Sequence, residues 1–153
     1  RVREALFCLK FGGKTAMARP LGDLMADAGG AMVPIKGIDC LVPVPLHPIR
    51  LALRGFNQAE GFARDVAAAI GGRYSPRLLT RGFSFRTQAS FSDAIRSAKR
   101  AEGSVALRRG AAVSDAYVVV DDVFTTGATV FACAESLKHA GASSVSAMTV
   151  LCG

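Results

Sequence analysis

Val118-Val-Val-Asp-Asp-Val-Phe-Thr-Thr-Gly-Ala-Thr129 is the stretch on which the reading of this chain turns. The apolar run Ala116-Tyr-Val-Val-Val120 suits a central parallel strand. Asp121 and Asp122 end that run abruptly, at the carboxyl edge of a sheet, where open α/β sheets bind ligands. The turn Thr125-Thr-Gly-Ala-Thr129 then opens a helix over about 128–140, with Val130, Ala134 and Leu137 on one face and Gly141 as its C-cap. The first N–H groups of such a helix lack intrahelical partners, and with the helix dipole they form an anion site. Gly127 lets the chain approach an anion closely, and the hydroxyls of Thr125, Thr126 and Thr129 add donors. Two acceptors for vicinal hydroxyls followed by a cradle of donors suit a sugar phosphate. For the threonines alone, helix capping is the plainer reading, and the two roles coexist.

Outward from this block, residues 144–151 read as the last strand. Upstream, Ile38-Asp-Cys-Leu-Val-Pro-Val44 reads as a buried strand whose pairing Pro43 and Pro45 end. A loop follows from Pro45 to Gly55. Asn57, with Glu60 three residues on, is a capping-box start. Ala59, Phe62, Ala63, Val66, Ala67 and Ile70 recur at helical spacing until Gly71-Gly72. Residues 73–79 are a further strand candidate. The N-terminal part reads as helices over 2–11 and about 15–28, the second kinked or delayed by Pro20. Residues 80–112 are poor in strand pattern and rich in Arg, Ser and Gly, with Ser92 capping a short helix of about 93–102; so long an irregular stretch is usually functional or mobile. Alternating strands and helices predict an α/β domain with a mainly parallel sheet.

At 153 residues, half of them apolar, the chain is expected to form a single domain over 1–153. No apolar run approaches the roughly 18 residues that cross a bilayer, so no membrane insertion is expected. The start, Arg1-Val-Arg-Glu4, has none of the apolar core and cleavage site of a secretion signal. It also lacks an initial Met, as expected of a fragment or of a chain that has lost a leader or upstream module. Cys8, Cys40, Cys133 and Cys152 form no C-x-x-C pair and read as reduced thiols of a cytoplasmic protein. The net charge is +7. Residues 73–109 carry nine basic and two acidic residues, so this one segment holds the whole excess. It is either a surface that meets phosphate or a solvated face.

The block at 118–129 resembles the phosphoribosyl-pyrophosphate (PRPP) motif of type I phosphoribosyltransferases: apolar residues, two acids, two apolar residues, then a Thr-Gly-x-Thr turn. Leu41-Val-Pro-Val-Pro-Leu-His-Pro48 and Arg54-Gly-Phe-Asn-Gln-Ala-Glu60 narrow the resemblance to the ComF/GntX family of competence-associated phosphoribosyltransferase-like proteins. The spacing of Gln88, Phe91 and Arg96 resembles that family's hood segment. Three departures stand out. The zinc ribbon that commonly precedes the domain is not expected in these residues, Lys99 stands where the hood pattern usually has Asn, and Thr125 stands where purine-salvage enzymes often carry an acid. The last argues against purine salvage and leaves proton transfer unassigned.

The resemblance implies a type I phosphoribosyltransferase-like fold, a mainly parallel sheet flanked by helices, with a basic hood over about 80–112. It implies that Asp121 and Asp122, the catalytic pair, hold the ribose hydroxyls directly or through Mg²⁺, which favours one or two carboxylates plus substrate phosphates. Thr125, Thr126, Gly127, Ala128 and Thr129 would cradle the 5′-phosphate. In the loop facing pyrophosphate, Arg50 and Arg54 either grip phosphate or form a solvated pair, and His47 either donates to pyrophosphate or packs the loop. His139, in a helix's last turn, complements the helix dipole. Arg81, Arg86, Gln88 and Arg96 would form a hood that closes over PRPP and excludes water.

Two functions follow. One is Mg²⁺-dependent transfer of a phosphoribosyl group to an acceptor that the sequence does not identify. The other is single-stranded DNA binding in competence and DNA uptake, with competence proteins as partners and no turnover. The interleaving of Tyr74, Phe83, Phe85 and Phe91 with arginines suits a single-strand site, or else those rings pack the hood's own core. A third reading is a regulator that senses PRPP without turnover.

Overall fold

The computed structural model describes residues 40–81, 105–111, 113 and 116–152. The expected N-terminal helices, the helix over 93–102, Cys8, Phe83, Phe85, Phe91 and the hood residues Arg86, Gln88 and Arg96 lie outside them.

Among the described residues, nine elements follow in order: β1 (Cys40–Pro43), α1 (Pro48–Arg54), α2 (Gln58–Ile70), β2 (Arg73–Tyr74), β3 (Leu79–Arg81), β4 (Val105–Leu107), β5 (Ala116–Phe124), α3 (Ala128–His139) and β6 (Ser144–Cys152). The main sheet has the order β2-β1-β5-β6, and all three of its pairings are parallel. The expected α/β architecture is therefore present. β3 and β4 form a separate antiparallel pair.

The valine run of β5 is the centre of the molecule because it is buried on both faces. Val118 and Val120 meet Leu41 of β1 and Phe62 and Val66 of the inner stripe of α2 on one face. Tyr117 and Val119 meet Val130, Cys133 and Leu137 of α3 on the other. The alternation of strand side chains thus places α2 and α3 on opposite sides of the sheet. Cys40 and Cys133 are core residues, as their apolar surroundings predict, and Cys152 is exposed; all three are free thiols.

Several expectations change. The segment read as a loop from Pro45 to Gly55 contains α1: Pro48 sits in its first turn, His47 Nδ1 accepts from the Ile49 N–H at 3.3 Å, and Gly55 caps its end at φ 78°. β5 does not end at Val120 but runs to Phe124, because β6 keeps pairing with it as far as Cys152. The 73–79 candidate shrinks to two residues; Leu79–Arg81 instead pairs with Val105–Leu107, inside the stretch read as irregular. The C-cap of α3 is Ala140, and Gly141 follows it at φ 106°.

Candidate functional site

The site begins where β1 leaves β5. The last rung between them is the Val44 N–H to the Val120 carbonyl, 2.9 Å. Beyond it β1 turns away into Pro45–His47, while Asp121–Phe124 continue beside β6 alone. β1 leads through α2 to β2 on one side, and β5 leads through α3 to β6 on the other. The two helices cover opposite faces. This is the topological switch point of an open α/β sheet, where the carboxyl ends of two neighbouring strands open a crevice.

A cleft of ≈ 150 Å³, open to solvent, lies there. Its lining includes Asp121, Asp122 and Thr129 together with Arg50, Arg54 and Arg81. An adjoining hollow of ≈ 40 Å³ is lined by Asp121 and by the turn from Thr125 to Val130. Asp121 and Thr129 border both.

Asp121 and Asp122 project to opposite faces of β5 by strand alternation. The Asp122 N–H donates to Asp121 Oδ1 at 2.8 Å, which orients the first carboxylate. Cys133 registers this electrostatically: burial above all, and then Asp121, push its thiol up to about 12, while Arg81 pulls the other way. Asp121 and Arg81 therefore both act on the α3 face of the sheet, and Cys133 is a protonated core thiol rather than a nucleophile.

Gly127 is the N-cap residue of α3 at φ 74° and brings no side-chain cap; the Thr126 hydroxyl accepts from the Ala128 N–H at only 3.4 Å. The helix start is thus left open to an anion. The glycine has a reason beyond ligand approach: a Cβ there would lie 2.6 Å from Phe124 Cζ and 2.7 Å from Phe131 Cε2. Those rings pack edge to face, centroids 6.4 Å apart.

Of the residues expected from sequence, Arg50, Arg54, Arg81, Asp121, Asp122 and the 125–129 turn come together. His47 serves as the cap of α1 and does not line the cleft. Tyr74 packs against the α2-side core, which for this ring favours packing over stacking on DNA. Sequence reasoning missed Gln58. It is the first residue of α2, only 3 % exposed, and it lines the cleft with Nε2 lacking any hydrogen-bond partner among the described residues. Beside it, Asn57 Oδ1 caps α2 through the Ala59 N–H (3.2 Å), and Nδ2 donates to the Val44 carbonyl (3.0 Å). That pair of bonds ties the loop after β1 to the start of α2.

Over 110 residues, 72 % of its length, the chain is 32 % identical to competence protein ComFC of Streptococcus pneumoniae (strain ATCC BAA-255 / R6). It is 34 % identical over 108 residues to the DNA utilization protein YhgH of Salmonella typhi. The chain is a ComF-family relative. It spans about half the length of these ComF-type proteins, 46 % in each case. No protein-family model matches it. Among solved structures, it superposes on an adenine phosphoribosyltransferase with a TM-score of 0.57 at 16 % identity, covering 92 % of this chain and 72 % of that one. It also superposes on the glutamine PRPP amidotransferase of B. subtilis, complexed with ADP and GMP, at 0.55 and 23 % identity, covering 87 % and 26 %. The fold is that of the type I phosphoribosyltransferases.

Proposed function

We propose that this ComF relative binds PRPP, or a ligand sharing its ribose 5-phosphate, with Mg²⁺ in the cleft at the β1–β5 switch point, and transfers the phosphoribosyl group to an acceptor. The observation that carries this reading is a single cleft lined by two carboxylates and three guanidinium groups, beside a helix start with no side-chain cap from its N-cap residue. In this reading Asp121 and Asp122 hold the ribose hydroxyls, and the 125–129 turn receives the 5′-phosphate. Arg50, Arg54 and Arg81 neutralise the departing pyrophosphate as positive charge develops on the sugar. The residues fit Mg²⁺ in one manner only. Among the described residues no group of three acids, His or Cys gathers, so the ion would take these one or two carboxylates and complete its shell with substrate oxygens and water. Bound there, it would supply charge neutralisation at the pyrophosphate.

The test is thermal unfolding with PRPP and Mg²⁺. At ligand near 100 times Kd, linkage adds about 2.7 kcal/mol, which is roughly 5–11 °C for a domain of this size. The shift is expected in the wild type and absent in Asp122→Asn. No shift in either would sink the proposal.

A second reading has its own support. Arg77, Arg108 and Arg109 are exposed, and the Arg108 N–H donates to the Leu78 carbonyl at 2.9 Å, which gathers part of the basic segment at the base of the β3–β4 pair. With relatives named for competence and DNA utilization, this patch suits the phosphate backbone of single-stranded DNA, with competence proteins as partners. Such binding would weaken steeply with salt, and removing these arginines would flatten that dependence. No helix of the described residues is long and apolar enough to cross a membrane, and we place both activities in the cytoplasm, where free thiols persist.

A further inference from the structure

We propose that Gln58 is a ligand-binding side chain that donates its amide to the pyrophosphoryl group, and so makes the cleft discriminate a sugar pyrophosphate from a simple sugar phosphate. The proposal rests on the PRPP reading above. Its starting point is a polar group that the chain leaves unsatisfied. Gln58 is 3 % exposed and its Nε2 meets no acceptor among the described residues. A buried polar atom without a partner is uncommon, and each one calls for an explanation. Here its position supplies one, because Gln58 lines the same cleft as Arg50, Arg54 and Arg81. It also stands at the first position of a thirteen-residue helix, where the dipole favours negative charge.

The neighbours decide the ligand chemistry. The cleft lining includes three guanidinium groups, which only donate, and Nε2 is likewise a donor. Four donating side chains and a helix N-terminus match phosphoryl oxygens. The sugar hydroxyls have their acceptors in the same cleft, at Asp121 and Asp122, and the 5′-phosphate has the 125–129 turn in the adjoining hollow. Asn57 holds Gln58 in place: its bonds to the Ala59 N–H and the Val44 carbonyl fix the first turn of α2 against the loop after β1. The amide is therefore held by the fold before the ligand arrives, and the ligand supplies the acceptor that the chain lacks.

The experiment compares wild type, Gln58→Leu and Gln58→Glu by calorimetric titration with PRPP and with ribose 5-phosphate, both with Mg²⁺, and by thermal unfolding without ligand. Gln58→Leu should weaken PRPP about 10- to 100-fold, the worth of a hydrogen bond to a charged group. It should leave ribose 5-phosphate unchanged. Its midpoint should hold or rise, since an apolar side chain of similar size replaces an unsatisfied amide. Gln58→Glu should weaken PRPP further, increasingly as the introduced carboxyl ionises. PRPP affinity unchanged in Gln58→Leu would overturn the proposal while leaving the site reading intact. So would an equal loss for both ligands together with a lowered midpoint, which would mark Gln58 as structural. A wild type that binds neither ligand would overturn the PRPP reading itself.

Discussion

Replacing Gly127 with alanine should destabilise the fold through two separable costs. The first is backbone: at φ 74° a residue with a Cβ pays about 1–2 kcal/mol for the left-handed conformation. The second is steric. The new methyl would stand 2.6 Å from Phe124 and 2.7 Å from Phe131, and no rotation of the methyl relieves a Cβ contact. The rings must move, losing their edge-to-face packing, worth about 0.5–1.5 kcal/mol. Together these give about 1.5–3.5 kcal/mol, or on the order of 3–14 °C in midpoint. Phe131 is 61 % exposed, so trimming it disturbs little of the core. In a Phe131→Ala background the contact with Phe131 disappears while that with Phe124 stays, so the steric part should shrink and the backbone part, about 1–2 kcal/mol, should remain. Urea unfolding of the four proteins, fitted with a common slope, measures the whole cost and the share that Phe131 adds. A Gly127→Ala protein within about 0.5 kcal/mol of wild type would refute the reasoning. A cost identical in both backgrounds would refute the role of Phe131.

Three further outcomes are expected. Asn57→Asp keeps the cap on the Ala59 N–H but strips the donor from the buried Val44 carbonyl, so urea unfolding should show a loss of about 1–3 kcal/mol; Asn57→Ala should lose about a further 1 kcal/mol with the cap. Phe62→Ala empties a fully buried position between α2 and β5 and should cost about 3–5 kcal/mol in the same assay. Cys133 should resist thiol reagents at pH 8 while exposed Cys152 reacts. Its folded pKa of about 12 lies above the ordinary 9.0, so the folded state holds a proton that the unfolded state releases. That contribution to stability is complete below about pH 9 and is lost as the pH rises toward 12. Unfolding of Cys133→Ala should therefore fall off less steeply than wild type above pH 9.

The fold was legible at the points where chemistry and period agree. A valine run, two acids and a threonine-glycine turn have few alternative settings, and the stripe from Ala59 to Ala67 could only face a core. The boundaries were less legible. Acids inside a strand contradict the apolar pattern of a central strand, so β5 looks finished at Val120 until β6 is seen pairing beyond it. α1 buries none of its residues, so its apolar side chains give no amphipathic signal; Pro48 and Gly55 were its only marks. β3 and β4 are three residues each and are joined only by pairing across 23 intervening positions, which no local pattern conveys. Within the site, Asp121, Asp122 and the threonine turn were identifiable from their types. Gln58 was not, because a glutamine opening a helix reads as a surface residue. Its burial follows only from the way Asn57 anchors α2 to the loop after β1.

The central claim is that the crevice at the β1–β5 switch point binds a sugar pyrophosphate through its paired carboxylates. Calorimetric titration of PRPP with Mg²⁺ into wild type and Asp122→Asn tests it most directly. The account predicts one saturable site in the wild type, at a stoichiometry of one, and its loss in the variant with the folded midpoint retained. No heat of binding in the wild type, or equal binding in the two proteins, would contradict it.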